Sequence, residues 1–359
     1  MEIQKLLNMM VEVGASDIFI VAGLPLAYAV GGRQIRLDMP NLTPADTKSL
    51  VLAVYDAADR DSRIFTESKN HDDDFSFSLA GVGRFRANIF RQRGSFSAVV
   101  RVIPFGLPNP EELHIPESVM RCADLQKGLV LVTGPSGAGK STTLACLIDR
   151  VNHTRSGHII TMEDPIEYVH HHDKCIVTQR EIPTDVATYS EALASALREN
   201  PDILLLGEMR TLDTISTAVS ASEMAQLVFS TLHTMGAAST IDRIVDTYPP
   251  AQQRQARLQL SMTLQATISQ QLVPTANGKG SVPVFEIMLC NAAVRNLIRS
   301  EKTHQIDSAI AAGTSIGMRT MDQSLFDLCK AGTITTETAL QHSAHQDSLE
   351  KRLALEGIS

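Results

Sequence analysis

"GLVLVTGPSGAGKST", residues Gly128 to Thr142, is the stretch whose reading decides the fold. The apolar run "GLVLVT" predicts a buried strand, and "KSTTLACLIDRVNH" continues beyond the turn as a helix. Between them, Gly134, Gly139, Lys140 and Ser141 satisfy G-x-x-x-x-G-K-[ST]. In that pattern the glycines let backbone N–H groups turn toward phosphate oxygens, a lysine reaches the outer phosphates and a hydroxyl faces Mg²⁺. Gly134, Pro135, Ser136, Gly137, Ala138, Gly139, Lys140, Ser141 and Thr142 therefore form the candidate nucleotide loop, with Ser141 a candidate Mg²⁺ ligand.

Downstream, apolar runs and amphipathic segments alternate: "GHIITME", "YSEALASALREN", "DILLLGE", "DTISTAVSASEMA" and "LVFSTLH". Such alternation predicts a parallel sheet with helices on its faces, whose ligands sit at the carboxyl ends of the strands. Glu163 ends one predicted strand and Glu208 another, so both are expected to face one γ-phosphate. A carboxylate placed there holds Mg²⁺ or orients an attacking water, and position alone leaves the two roles open. After about Tyr248 the chain reads as mostly helical, with a short strand near "VPVFEIM".

Upstream the pattern is different. "DIFIVA" reads as a strand, "GLPLAYAVGGRQIRL" as a strand pair around Gly31-Gly32, and "TPADTKSLVLAVY" as a helix with a threonine cap and proline in its first turn. "DDDFSFSLAGVGRFRANIFRQRGSFSAVVRVIP" alternates over two or three strands. Arg84 and Arg86 fall on one face there because side chains alternate with period two. The four prolines of "PFGLPNPEELHIP" mark a linker. The expected organisation is an α+β domain over 1–103, a linker over 104–116 and an α/β domain carrying the phosphate loop over 117–359.

Composition narrows the function. The 359 residues fill two domains, and a net charge of −8 argues against a chain-wide nucleic-acid or anionic-membrane footprint. No apolar run approaches the roughly 20 residues of a membrane span, and the N-terminus lacks a signal-peptide pattern. Five scattered cysteines form neither a zinc knuckle nor a disulfide framework, so a reduced, cytoplasmic setting is expected. His170, His171 and His172 read as a surface loop rather than a metal site. Asp72, Asp73 and Asp74 read as a solvated turn, and "DSLEKRLAL" as a short packed amphipathic helix.

Five segments carry a resemblance. "GPSGAGKSTT", "GHIITMEDPIEYVHHHDKCIVTQRE", "ALRENPDILLLGEMRTLDTI", "STLHTMGAASTIDRIVD" and "GMRTMDQSLFDL" resemble the Walker A, Asp-box, Walker B and His-box regions of secretion ATPases. The match is to the PilT/PilU group, the type IV pilus retraction ATPases. "CIVTQRE" and "QQLVPTANGKG" are similar to the PilU branch, and "AVRNLIRSEK" to a retraction-linked motif of the PilT branch. The resemblance implies a PAS-like N-terminal domain, a RecA-like P-loop domain with a helical C-terminal part, and ATP with Mg²⁺ as cofactors. It implies that Glu163 polarises water, that Glu208 serves Mg²⁺ and that His233 contacts the γ-phosphate region. It also implies that Arg84, Arg86 and Arg101 reach a neighbouring subunit's nucleotide. The implied assembly is a cytoplasmic homo-hexamer at the inner-membrane base of a pilus machine, working on an integral platform protein beside a paralogous retraction ATPase, with no nucleic acid and no direct membrane insertion.

One departure bears on activity. Where the family reads Glu-Thr-Gly-His-Leu-Val, this chain has Glu223-Met224-Ala225-Gln226-Leu227-Val228. Taken as phosphate-facing, Gln226 cannot titrate or carry charge, which keeps an accessory nucleotide-binding ring subunit open beside the motor. A related type II or type IV secretion ATPase is the other alternative. A nucleic-acid translocase on the same core is disfavoured by the acidic balance and 4% aromatic content.

Overall fold

The computed structural model describes residues 2–31, 33–67, 72–103, 106–278 and 280–358. Gly32, Pro104 and Phe105, named above in the predicted strand pair and linker, lie outside the described residues. The chain divides into two compact units, Met1–Gly106 and Leu107–Ser359.

In the first unit a six-stranded sheet has the order β3-β2-β1-β6-β5-β4. Its strands are β1 Asp17–Ile20, β2 Ala27–Val30, β3 Arg33–Arg36, β4 Asp72–Leu79, β5 Gly83–Gln92 and β6 Ser95–Ile103, all paired antiparallel. Helices α1 (Ile3–Glu12), α2 (Pro44–Ala57) and the single turn α3 (Arg63–Thr66) complete the unit. Leu6, Leu7 and Met10 of α1 and Val51, Val54 and Tyr55 of α2 are buried with Ile18, Phe85, Ile89 and Val100 of the sheet in one core. Thr43 caps α2 reciprocally with Asp46, and Pro44 occupies its first turn, where no N–H partner is needed.

The acidic triplet is not a solvated turn. Asp72 to Asp74 begin β4, where Asp73 pairs with Arg60 and accepts the Tyr55 hydroxyl at 2.8 Å, and Asp74 pairs with Arg86 at 2.6 Å. A cross-strand arginine, the loop residue Arg60 and a buried phenol give Asp73 and Asp74 partners that local sequence does not reveal.

The second unit begins with the turn α4 (Glu117–Met120), and Ile115 just before it is buried in that unit's core. The remaining strands are β7 Gly128–Thr133, β8 Gly157–Glu163, β9 Cys175–Glu181, β10 Ile203–Leu206, β11 Leu227–Leu232, β12 Leu264–Pro274 and β13 Ser281–Leu289, in the order β13-β12-β7-β11-β10-β8-β9. Only the β12–β13 pair is antiparallel. Helices α5 (Lys140–Thr154), α6 (Tyr189–Ala196), α7 (Leu212–Glu223), α8 (Ala237–Asp246) and α9 (Pro250–Thr263) connect them. β7, β10 and β11 are buried at every residue, as both-face coverage of a parallel sheet requires. Alternate residues feed two cores: Val130, Val132 and Phe229 face α5, whereas Leu129, Leu131 and Val228 face α7 and α8.

Beyond Tyr248 the chain is less helical than its sequence suggests. β12 runs for 11 residues and β13 for 9, forming a hairpin that extends the sheet. Ser269, Gln270 and Gln271 interrupt the apolar pattern of β12 although all three are buried, so the pattern conceals the strand. β9 likewise escapes the apolar criterion because it is an edge strand with an exposed Ile176. The C-terminal part is α10 (Ala292–Arg299), α11 (Ile306–Ala312), α12 (Met321–Lys330), α13 (Thr336–His342) and α14 (Gln346–Leu355). Leu349 and Leu353 of α14 pack on Leu325 and Phe326, as expected for a packed amphipathic helix. No helix among the described residues is long and apolar enough to cross a membrane.

Candidate nucleotide site

The phosphate loop leaves the carboxyl end of β7 and turns into α5 at Gly139, whose φ of +84° is left-handed. The first turn of α5 aims its free N–H groups and positive dipole end at the loop's concavity. Lys140 Nζ donates to the carbonyls of Gly134 and Pro135, each at 2.9 Å, so the loop itself orients the ammonium. Burial pulls the Lys140 pKa down, while the Glu208 and Glu167 charges oppose the shift. Ser141 is half-buried one residue further on, and the Thr142 hydroxyl lies 2.9 Å from that of Tyr168.

Three neighbouring strand ends supply the other groups. Glu208 lies two residues past β10 and His233 one past β11, with His233 Nε2 3.6 Å from the Glu208 carboxylate. Arg210 holds the same Glu208 oxygen at 2.7 Å. The Thr231 hydroxyl donates to the Gly207 carbonyl at 2.6 Å and the Gly207 N–H to the Met162 carbonyl at 2.8 Å, tying the ends of β11, β10 and β8 together. Glu163, the last residue of β8, accepts from the Thr161 hydroxyl at 2.6 Å and from Gln179 Nε2 at 3.2 Å. Burial pushes its carboxyl up to about 7, and the two hydrogen bonds limit the rise. A carboxyl raised toward neutrality suits a group that accepts a proton from water.

Sequence reading missed three residues at this edge. Tyr189 sits beside Gly207, and its phenol is raised by burial and by the charges of Asp164, Glu208 and Glu163. Gln179 of β9 bridges Glu163 to the Tyr168 carbonyl at 2.9 Å. Gln270 of β12 donates to the Ala138 carbonyl at 2.5 Å and accepts from Thr143 at 2.8 Å. Lone glutamines and tyrosines carry no motif, and only strand register delivers them.

The donor set suits Mg²⁺ bound mainly through phosphate and water. No group of three or more His, Cys, Asp or Glu able to hold a metal occurs among the described residues, while Ser141 and Glu208 carry hard oxygen atoms of the kind that could ligate a phosphate-bound cation. His170 corrects the surface-loop reading in part: it is buried, which lowers its pKa to about 4, and His172 Nδ1 accepts from the Val177 N–H.

Gln226 is not at this edge. It precedes β11 at the amino end, where its carbonyl accepts from the Gly128 N–H at 3.0 Å, so the seven steps to His233 carry it roughly 20 Å from the phosphate edge. Arg84, Arg86 and Arg101 lie on the face of the first unit's sheet opposite the one that packs on its helices. Arg86 lies directly opposite Arg101, which pairs with Asp17 at 2.9 Å, and Arg84 donates to the Ser78 hydroxyl.

The family model for type II/IV secretion system proteins matches residues 114–339. The chain is 47% identical to the type IV pilus retraction ATPase PilT of Pseudomonas aeruginosa over 340 residues, covering 94% of this chain and 97% of that protein. The chain belongs to the pilus retraction ATPase family. It is 40% identical to the type IV pilus ATPase PilU of the same organism, covering 99% of this chain and 92% of that one. A crystal structure of the pilus retraction motor PilT with bound ADP superposes with a TM-score of 0.90 at 46% identity, covering 98% of this chain and 99% of that one. Like these family members, the chain is a nucleotide-binding ATPase with an α/β secretion-ATPase fold.

Proposed function

We propose that this chain is the subunit of a cytoplasmic homo-hexameric motor that hydrolyses Mg-ATP to power type IV pilus retraction. The observation that carries the reading is the gathering of the Lys140 loop, Glu163, Glu208 and His233 at one sheet edge, in a chain that matches a retraction motor nearly end to end. The loop N–H groups and Lys140 hold the phosphates. Ser141 and Glu208 would hold Mg²⁺, which when bound would supply positive charge to offset that of the phosphates. Glu163 orients the attacking water, and His233, already beside Glu208, contacts the γ-phosphate region. Arg84, Arg86 and Arg101 serve a neighbouring subunit's nucleotide, where planar guanidinium groups offset developing charge. The stretch 104–116 links an N-terminal domain over 1–103 to the ATPase domain over 117–359. The ring docks at the inner-membrane base of the machine, acts on an integral platform protein, and works beside a paralogous ATPase.

Phosphate release from assembled protein with Mg-ATP tests this. Turnover is expected, falling about a hundredfold or more in Glu163→Gln. ATP binding with no release above that variant would overturn the motor reading in favour of an accessory subunit.

A further inference from the structure

β12 runs parallel to β7 with Ser269 opposite Thr133, so the next residue, Gln270, arrives beside Gly134 where the phosphate loop begins. Gln270 is only 2% exposed, and its carboxamide is engaged at both ends: Nε2 donates to the Ala138 carbonyl, and Oε1 accepts from the Thr143 hydroxyl at 2.8 Å. Ala138 precedes and Thr143 follows the segment Gly139-Lys140-Ser141-Thr142. The side chain thus spans the residues that would hold phosphate and Mg²⁺.

The strand also shapes the loop from outside. A Cβ on Gly134 would lie 2.2 Å from the Gln270 carbonyl oxygen, and one on Gly139 would lie 3.1 Å from its Nε2. On the opposite face, Ser269 Oγ accepts from the Gly236 N–H at 2.9 Å, and Gln271 Oε1 lies 2.9 Å from His342 Nδ1. With its sequence neighbours held by other elements, Gln270 is a fixed support, as a preorganised site requires.

We propose that Gln270 is a positioning residue of the phosphate loop, fixing the backbone on both sides of Lys140 in its phosphate-receiving shape. The proposal rests on the nucleotide-site reading above.

The test measures binding of a fluorescent ADP analogue, ATP turnover and Tm on the full assembled chain. Gln270→Leu leaves two buried polar groups unpaired and is expected to weaken analogue binding about tenfold or more. Thr143→Val removes one bond and is expected to weaken binding about threefold, with Thr143→Ser restoring it. The double variant is expected to bind no worse than Gln270→Leu alone. Affinity within about twofold of the parent together with a lowered Tm would overturn the proposal, since a merely structural residue moves only the latter. If Gln270→Leu does not fold, Thr143→Val against Thr143→Ser decides by the same criterion. Lys140→Ala separates the two readings: binding lost there but unchanged in Gln270→Leu sinks only the positioning role, whereas no binding by the parent sinks both.

Discussion

The two edges of the seven-stranded sheet share strands but differ in chemistry. At the carboxyl edge, β7, β8, β10 and β11 end in the phosphate loop, Glu163, Glu208 and His233, with hydrogen bonds tying neighbouring strand ends together. At the amino edge β7 begins at Gly128 and β11 just after Gln226, and these two residues are joined backbone to backbone. Ala225 there adopts a φ of +77°, a conformation that favours glycine, and Gln226 Oε1 is buried with no hydrogen-bond partner among the described residues. Substitutions at the first edge are expected to alter nucleotide binding. Those at the second reach backbone strain and packing.

Two glycines give the strongest way to break this contrast. Gly128 opens β7 and Gly134 follows it, and both press against β12: a Cβ on Gly134 would meet the Gln270 carbonyl at 2.2 Å, and one on Gly128 the Gln265 side chain at 2.5 Å. Their φ values of +141° and +108° add strain to any substitution. Gly134→Ala and Gly128→Ala are each expected to lose about 2 kcal/mol or more of stability in denaturant titrations. Only Gly134→Ala should also abolish ADP binding by the fraction that stays folded. Equal loss of binding in both would erase the distinction between the edges.

A pH series sharpens the carboxyl edge. Burial raises the Glu163 carboxyl to about 7 from an ordinary 4.5, so the fold favours its protonated form. That contribution is complete below about pH 4.5 and is lost as pH rises through about 7. The Tm of the parent is therefore expected to fall relative to Glu163→Gln across this window, as followed by scanning calorimetry. A constant gap between them would contradict a raised carboxyl.

The amino edge predicts smaller effects. Ala225→Gly should raise stability by about 1 kcal/mol in chemical denaturation, with ATP turnover unchanged, because glycine adopts the left-handed conformation without a Cβ clash. Gln226→His should change turnover by less than about twofold, since at roughly 20 Å a charge is screened beyond the Debye length. A large rate increase would show that this edge controls hydrolysis after all.

The phosphate loop was legible because its chemistry is local: glycine torsions, a lysine and a hydroxyl within nine residues need no distant partner. Glu163 and Glu208 were legible because apolar runs announce parallel strands and parallel strands present ligands at their carboxyl ends. The same rule, applied to the start of β11, places Gln226 away from the phosphates; its motif resemblance pointed the other way. Asp73 and Asp74 looked solvated because Arg60, Tyr55 and Arg86 are remote or cross-strand partners. What the sequence by itself determined is therefore the loop, the sheet around it and the family. Only the tertiary structure decided which glutamines brace the loop and Glu163, how far burial lifts that carboxyl, and which edge each motif occupies. Register, burial and long-range hydrogen bonds depend on residues as distant as Thr143 and Gln270, and no local pattern encodes them.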